Sequence, residues 1–178
     1  ARESECLITS FLREDFKKLG CTLVTPNTKT LETSIDKSYL YNFLSENTDI
    51  PMMKYHIVKS KDDLEEGFKK LEGLELSIKP ATGAGSRGFA IINDVPLDAK
   101  SFFTSKNQFL TLSKQNLLEM FESSNDAPTT LLMEMLYDNH YDSTALCKNG
   151  KIICQFVKTR EEAKIGTITK GEVIIHKE

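Results

Sequence analysis

The sequence has no excess of basic residues, no long apolar run and no paired-cysteine motif. Its 23 Lys+Arg and 26 Asp+Glu give a formal charge of −3, whereas a protein that mainly contacts the phosphate backbone of nucleic acid needs a basic excess. No stretch approaches the roughly 20 apolar residues of a membrane-spanning helix, and the first residues lack the pattern of a signal peptide. We therefore expect no nucleic-acid partner, no membrane contact and a cytoplasmic location.

The chain also lacks any Cys-x-x-Cys pair, which argues against a zinc knuckle or a thioredoxin-type site. Asn149-Gly150 predicts a two-residue hairpin, in which Cys147 faces Ile152 and Ala145 faces Cys154. The two thiols then lie on a diagonal, too far apart for an unstrained disulfide. We interpret all the cysteines as free, buried and cytosolic; they are Cys6, Cys21, Cys147 and Cys154.

Apolar periodicity predicts a chain in which helices alternate with strands. The first helix carries Ile8 to Leu19 and ends at Gly20. The other predicted helices are Asp36–Asn47, a helix from a Ser60/Asp63 capping box to Gly73, and Ser113–Ser123 within an otherwise irregular stretch 93–128. The predicted strands are Cys21–Thr25, Lys54–Val58, Leu74–Pro80, Phe89–Ile92, Thr129–Leu136, the hairpin Tyr141–Lys148 and Lys151–Lys158, and Val173–Ile175. The order favours an α+β (mixed α/β) fold over a simple doubly wound sheet.

A glycine-rich loop at residues 81–88 is the most informative stretch. Gly83, Gly85 and Gly88 fit G-x-G-x-x-G, but the strand-like Phe89–Ile92 follows where a dinucleotide-binding turn needs a helix. A P-loop needs Gly-Lys-Ser/Thr after its glycines. A protein kinase has its lysine after the loop, together with His-Arg-Asp and Asp-Phe-Gly motifs. The sequence supplies none of these.

The chemistry of the loop still suits phosphate. Glycines let backbone N–H groups approach phosphate oxygens closely. Lys79 precedes the loop and offers a compact cation, while Ser86 and Arg87 add a hydroxyl and a guanidinium. A mobile surface hairpin with solvated Lys and Arg is the alternative, and the loop alone leaves both interpretations open.

Lys79-Pro80 followed by Gly83-Ala84-Gly85-Ser86-Arg87-Gly88 resembles the nucleotide-binding core of the ATP-grasp superfamily. The similarity is greatest to the carbamoyl-phosphate synthase large subunit and its short relatives. It covers nearly the whole chain, because further segments follow in the order of the family: Asp36-Lys37, Ile50-Pro51, Leu131-Leu132-Met133-Glu134, Asp142, Thr159-Arg160, Gly166 and Gly171.

This resemblance implies a role for each matching position. Lys37 and Lys79 would contact the ATP phosphates, and Glu134 would accept from the adenine amino group. Asp142 would accept from the ribose hydroxyls, and Arg160 would meet the transferred phosphoryl group or an acyl phosphate. The closing flap would comprise Thr82, Gly83, Gly85, Ser86, Arg87 and Gly88, and the backbone bordering the adenine ring would be that of Met135, Leu136 and Tyr137.

Four of these residues also have a plain structural interpretation. Lys37 could simply begin a helix, although a helix N-terminus disfavours a cation. Glu134 follows a strongly apolar run, where an unpaired carboxylate is costly, so we expect a bound partner or a salt bridge. Asp142 could be a solvated strand acid. Arg160, next to Glu161-Glu162, could be surface charge.

The resemblance also implies an architecture and an activity. Residues 1–35 would be the tail of a preceding α/β domain, 36–134 the ATP-grasp lid subdomain with its flap, and 135–178 the beginning of the C-terminal catalytic lobe. The parent enzyme would be an ATP-dependent ligase that activates a small carboxylate as an acyl phosphate for attack by an amine or ammonia. The alternatives are a non-catalytic nucleotide-binding or regulatory module and, less favoured, a dinucleotide-binding oxidoreductase.

Magnesium ligands are missing from this pattern. The family typically binds Mg²⁺ through a late Glu-x-Asn or a related acidic arrangement, and neither Glu-x-Asn nor Asp-x-Asn occurs. His56, His140 and His176 show no ligand spacing, so no metal residue is predicted. We expect Mg²⁺ in the full-length protein, and we expect these 178 residues to be an inactive region of it.

Overall fold

A computed structural model describes residues 3–83, 85, 87–94, 110–137, 139–164 and 167–174. Within these ranges the chain forms an α+β structure, as the sequence predicts. The helices are α1 (Glu3–Phe11), α2 (Arg13–Lys18), α3 (Thr28–Ile35), α4 (Lys37–Asn47), α5 (Lys61–Lys70) and α6 (Lys114–Ser123). The strands are β1 (Tyr55–Val58), β2 (Leu76–Pro80), β3 (Ala90–Ile92), β4 (Leu110–Leu112), β5 (Thr130–Glu134), β6 (Tyr141–Lys148), β7 (Lys151–Thr159), β8 (Glu162–Lys164), β9 (Thr167–Lys170) and β10 (Val173–Ile174). No helix in this part of the chain has the length and apolar character to cross a membrane.

The larger sheet has five strands in the order β1-β5-β2-β3-β4. Neighbours are antiparallel except β3 and β4, which are parallel. The central strands are buried on both faces, since Leu76 to Ile78 of β2 and Thr130 to Met133 of β5 are all buried. Such strands need a covering layer on each side.

Helices α5 and α6 supply the cover on one face. The core cluster there comprises Val58, Leu64, Leu71, Leu76, Ile78, Ala90, Leu117 and Leu132. Each fully buried leucine among them stabilises the fold by about 1.5–3 kcal/mol. Helix α4 lies on the opposite face, where it contacts β5. Tyr41 of α4 packs on Tyr55 of β1, and Tyr55 lies three residues from Val58, so it points away from the α5 face.

Side-chain caps fix where several helices begin. The predicted capping box of α5 is confirmed: the Asp63 N–H donates to Ser60 Oγ at 3.1 Å, and the Asp63 carboxylate accepts from the Lys59 N–H at 2.9 Å. The Lys59 hydrogen bond lowers the pKa of Asp63, against the opposing effect of burial. Asp36 caps α4 and Asn27 caps α3. Each such cap contributes about 1 kcal/mol.

The N-terminal region differs from the sequence prediction. The predicted single helix is interrupted at Leu12, and Cys21–Thr25 is not a strand. Arg13 explains the second difference, because its guanidinium donates to the carbonyls of Leu23, Thr25 and Pro26 at 2.8–3.1 Å. Backbone groups that would need a neighbouring strand are satisfied by one side chain instead.

The predicted Asn-Gly hairpin is confirmed between β6 and β7, with Asn149 and Gly150 at φ 51° and 74°. Cys147 pairs with Ile152 as expected, but an irregularity in the ladder places Cys154 opposite Leu146 rather than Ala145. The prediction of buried cysteines is wrong for three of the four. All are free, but Cys21, Cys147 and Cys154 are exposed and Cys6 is only half-buried.

Four elements were not predicted: α3, β4, β8 and β9. The strands among them are only three or four residues long, too short for an apolar period to stand out. Helix α3 is rich in threonine and buries only Leu31. The predicted final strand is confirmed at Val173–Ile174, which pairs with β7; Ile175 lies outside the described residues.

Candidate functional site

The glycine-rich loop joins two paired strands, as predicted. Ile78 of β2 pairs with Ala90 of β3, and the chain between them turns back at residues 81–89. Gly83, Gly85 and Gly88 have φ of 103°, 72° and 74°, a region that side chains with a Cβ rarely adopt. A Cβ on Gly88 would lie 3.0 Å from Pro80 Cδ. The two ends of the loop therefore touch where Pro80 meets Gly88.

The tip of the loop faces solvent wherever it is described. Thr82, Gly83, Gly85, Arg87 and Gly88 are all exposed. Ser86, predicted to act with them, lies outside the described residues, as does Ala84. Exposed backbone between two fixed strands is suited to contact a ligand.

Lys37 ties the start of α4 to the base of this loop. Its backbone N–H donates to the Ala81 carbonyl at 2.8 Å. Its ammonium donates to the Ala81 carbonyl at 3.3 Å and to the Gly83 carbonyl at 2.8 Å. The two carbonyl dipoles compensate a cation that the positive end of the helix dipole disfavours. The structure thus places Lys37 at the base of the loop.

Lys79 lies near the end of β2, two residues before Ala81, and its side chain contacts α4. Its ammonium donates to the Tyr41 hydroxyl at 3.1 Å and lies 5.1 Å from the centroid of the same ring. The side chain is half-buried. Lys37 therefore contacts the carbonyl oxygens of Ala81 and Gly83, whereas Lys79 contacts the phenol of Tyr41 on α4.

Tyr41 was not among the predicted site residues. It lies four residues after Lys37, and residues at this spacing occupy the same face of a helix. This helical spacing was the one feature of the sequence that placed Tyr41 on the same face as Lys37. The identity of the contact with Lys79 depends on the packing of α4 against the sheet, which the sequence does not display.

Glu134 is the last residue of β5, and its carboxylate is hydrogen-bonded to a backbone N–H rather than to a cation. Its carboxylate accepts from the Lys54 N–H at 3.2 Å, and its own N–H donates to the Lys54 carbonyl at 2.9 Å. The prediction named a bound partner or a salt bridge. In the structure a backbone N–H takes that place, and the half-buried carboxylate remains compatible with a second donor, since each carboxylate accepts several hydrogen bonds.

Residues 135–137 continue from β5 alongside Glu75. The Met135 N–H donates to the Glu75 carbonyl at 2.8 Å. The Tyr137 hydroxyl hydrogen-bonds the Glu75 side chain, and that bond raises the pKa of Tyr137, with burial adding to the shift. The side chains of Leu136 and Tyr137 are exposed, so this segment offers apolar surface next to ordered backbone.

The register of the sheet separates the two ends of the predicted site. Lys79 pairs with Leu131, whereas Glu134 pairs with Leu76 at the other end of the β2–β5 ladder. Three residues along a strand span about 10 Å, and an odd spacing puts the two side chains on opposite faces. Glu134 and Lys79 therefore do not form one cluster of side chains.

Asp142 and Arg160 lie at the far end of the β6–β7 hairpin. Asp142 is half-buried and pairs with Lys158. The Arg160 N–H donates to the His140 carbonyl at 3.0 Å. An open cleft of about 330 Å³ is lined there by Asn139, His140, Tyr141, Thr159, Arg160 and Glu161. This hydrogen bond joins the backbone at Arg160 to the end of the segment that connects β5 to β6.

The described residues do not fit a magnesium site. In the part of the chain that the structure describes, no group of three or more His, Cys, Asp or Glu could hold a metal ion. Mg²⁺ requires oxygen ligands, chiefly carboxylates and phosphates.

No family model and no curated protein sequence matches the chain, but solved structures do. A carboxyaminoimidazole ribonucleotide synthase from Aspergillus clavatus, complexed with ATP, matches 86% of this chain and 35% of its own, with 14% identity and a TM-score of 0.57. The VanG D-Ala:D-Ser ligase from Enterococcus faecalis matches 91% of this chain and 44% of its own, with 14% identity and a TM-score of 0.55. The ATP-grasp ligase PsnB, complexed with minimal precursor, matches 94% and 45%, with 13% identity and a TM-score of 0.50.

The chain spans less than half of the length of each of these three structures. At 13–14% identity the likeness shows the fold alone, and that fold is part of an ATP-grasp domain. A likeness to carbamoyl-phosphate synthase is not shown.

Proposed function

We propose that this chain, whose fold is that of ATP-grasp ligases, binds ATP as part of an ATP-dependent carboxylate–amine ligase. One observation carries the proposal: the Lys37 ammonium contacts the carbonyls at the start of an exposed glycine loop, and Lys79 lies on the strand that leads into the same loop. Two cations beside flexible backbone N–H groups are what a polyphosphate requires for charge neutralisation. The fold adds support, since one similar structure is complexed with ATP.

At the phosphate end, Lys37 and Lys79 would contact the ATP phosphates, and Thr82, Gly83, Gly85, Ser86, Arg87 and Gly88 would close over them as the flap. The contacts of Lys37 with the Ala81 and Gly83 carbonyls support this assignment, because they place the cation at the loop from which backbone donors would come. Positioning and charge neutralisation of this kind are the main protein contributions to phosphoryl transfer.

At the other end of the β2–β5 ladder, the adenine ring would lie beside Glu134 and the backbone of Met135, Leu136 and Tyr137. The Glu134 carboxylate, held by the Lys54 N–H, would accept from the adenine amino group. Asp142 would accept from the ribose hydroxyls.

The proposed reaction has two steps. A carboxylate oxygen attacks the γ-phosphorus, the bond to the β–γ bridging oxygen breaks, and an acyl phosphate and ADP form. An amine or ammonia then attacks the acyl carbon, phosphate leaves, and the nitrogen loses a proton. Arg160, which faces a polar cleft, would meet the transferred phosphoryl group, because a guanidinium pairs well with phosphate oxygens. A carbamoyl-phosphate-synthase-like substrate type and the division at residues 35/36 and 134/135 belong to the same proposal.

Isothermal titration of the full chain with ADP and ATP tests the proposal. We expect Lys79→Ala to weaken binding about 10- to 100-fold, as the loss of a charge-assisted contact does. Lys114→Ala is the matched control, since Lys114 also lies over an aromatic ring, 5.6 Å from the Phe68 centroid, but on α6. Wild-type protein that binds neither nucleotide, or equal effects of the two substitutions, would overturn the proposal.

A further inference from the structure

Lys79 is held by a neutral partner. Its ammonium donates to the Tyr41 hydroxyl at 3.1 Å and lies 5.1 Å from the ring centroid. Among the residues that the structure describes, none of the ion pairs within 4 Å includes Lys79. The lysine is thus oriented by its neighbour without losing its charge to a carboxylate.

The ring that holds Lys79 is itself fixed. Tyr41 meets Tyr55 edge-on, with centroids 5.1 Å apart and planes at 85°, a favoured aromatic geometry. The Tyr55 hydroxyl donates to Asn42 Oδ1 at 3.1 Å and lies 3.2 Å from Ser45 Oγ. Residues of α4 thereby hold Tyr55, and Tyr55 holds Tyr41. The support of Lys79 spans α4 and two strands, β1 and β2.

The hydroxyl of Tyr41 has a defined direction. It donates toward Met53 Sδ at 4.0 Å, which leaves its oxygen lone pairs for the lysine. An ammonium has three donors, so one bond to Tyr41 leaves two for another acceptor. A carboxylate in the same place would neutralise the cation and compete with phosphate oxygens for it. A phenol orients the cation without that competition.

We infer that Tyr41 is a positioning residue for Lys79, which it holds in one conformation for contact with the polyphosphate of a nucleotide. The inference rests on the proposed nucleotide site and adds a residue to it. A free lysine side chain has four rotatable bonds, and ordering them at the moment of binding weakens binding. A lysine ordered beforehand avoids that cost. Tyr41 acts through Lys79 and touches no part of the nucleotide.

The test is a double-mutant cycle on the full chain, titrated with ADP and with adenosine. We expect Tyr41→Phe to weaken ADP binding about five- to tenfold and to leave adenosine binding within about twofold, since adenosine has no phosphate. In a Lys79→Ala background the same substitution should change ADP binding by less than about twofold. Tyr39→Phe is the matched control on the same helix, where the side chain is 65% exposed.

A spectroscopic arm separates positioning from simple support of the fold. The ¹³Cε signal of Lys79, identified by its loss in Lys79→Ala, should carry a ring-current shift that Tyr39→Phe keeps, Tyr41→Phe reduces and Tyr41→Leu removes. Wild-type protein that binds no ADP would overturn the proposed function. Wild-type protein that binds ADP, with Tyr41→Phe equal to Tyr39→Phe or still weakening ADP in the Lys79→Ala background, would overturn the role of Tyr41 alone.

Discussion

At the scale of single residues, Gly67 shows how closely α5 lies on the sheet. A Cβ at this position would lie 2.8 Å from His56 Cδ2 and 2.9 Å from Leu132 Cδ2. Both neighbours belong to strands, and Leu132 is fully buried. His56 Nε2 is buried with no hydrogen-bond partner among the described residues.

We expect Gly67→Ala to lower the free energy of unfolding by up to about 2 kcal/mol. Forcing a methyl group into a packed contact costs about 1–3 kcal/mol, and the better helix propensity of alanine offsets about 1 kcal/mol of it. Chemical denaturation measures the change. Glu65→Ala, at an exposed position of the same helix, should stay within about 0.5 kcal/mol. A stabilising Gly67→Ala would contradict the close approach.

The site residues show which single-residue roles a sequence can reveal. Lys37 and Lys79 were predicted because their motif has a fixed order along the chain; in the structure Lys37 contacts the loop and Lys79 contacts Tyr41. Tyr41 was missed because its role depends on a contact with Lys79, which is 38 residues further along the chain. Its position one turn after Lys37 was visible, but its partner was not. Contacts set by packing have no signature in spacing.

At the scale of elements, the start of α4 serves the helix and the loop together. Asp36 accepts hydrogen bonds from the N–H groups of Ser38 and Tyr39, while the next residue, Lys37, donates to the loop carbonyls. The cap therefore fixes the direction in which the Lys37 side chain leaves the helix. Helix α3 provides a comparison, because Asn27 caps it by accepting from the Thr30 N–H at 2.9 Å.

We expect Asp36→Ala and Asn27→Ala to destabilise the fold by a similar amount, about 1 kcal/mol each. Only Asp36→Ala should also weaken ADP binding, by about three- to tenfold, because it loosens the element that presents Lys37 and Tyr41. Denaturation and titration of both variants measure the two effects. Equal ADP affinities in the two variants would show that the start of α4 does not position the site.

The elements that the sequence predicts well are those with local signals. The caps of α5 and α6, the Asn-Gly turn and the alternating strand β2 each depend on residues within a few positions of each other. Cys21–Thr25 has the composition of a strand but no neighbour to pair with. Arg13, distant by about ten residues, satisfies its carbonyls instead. Strand composition predicts a strand only where a partner strand exists.

At the scale of the whole molecule, the two larger sheets differ in how they are covered. Strand β5 has Thr130 to Met133 buried, whereas β6 and the first part of β7 are exposed along their length. Leu146, Ile152, Ile153 and Phe156 on this hairpin are each 45–60% exposed. Local stability follows burial, so the two sheets should open at different free energies.

Hydrogen exchange measures this difference. We expect the amides of β2 and β5 to exchange at least about 100-fold more slowly than those of β6 and β7, since the former need the buried core to open. Gly67→Ala should accelerate exchange in β5 and leave the hairpin unchanged. Equal protection of both sheets, or a parallel response of both to Gly67→Ala, would show instead that they unfold as one unit.

The irregularity in the β6–β7 ladder between Leu146 and Cys147 has a consequence for the arginine at the end of the hairpin. In a hairpin the turn sets the register of the first pair, and each later pair follows from it. Beyond the irregularity Leu146 pairs with Cys154, so the register is shifted by one residue, and the shift persists to the pair Tyr141–Thr159. Since neighbouring side chains alternate between faces, this single step decides from which face the chain delivers Arg160 to the cleft beside His140.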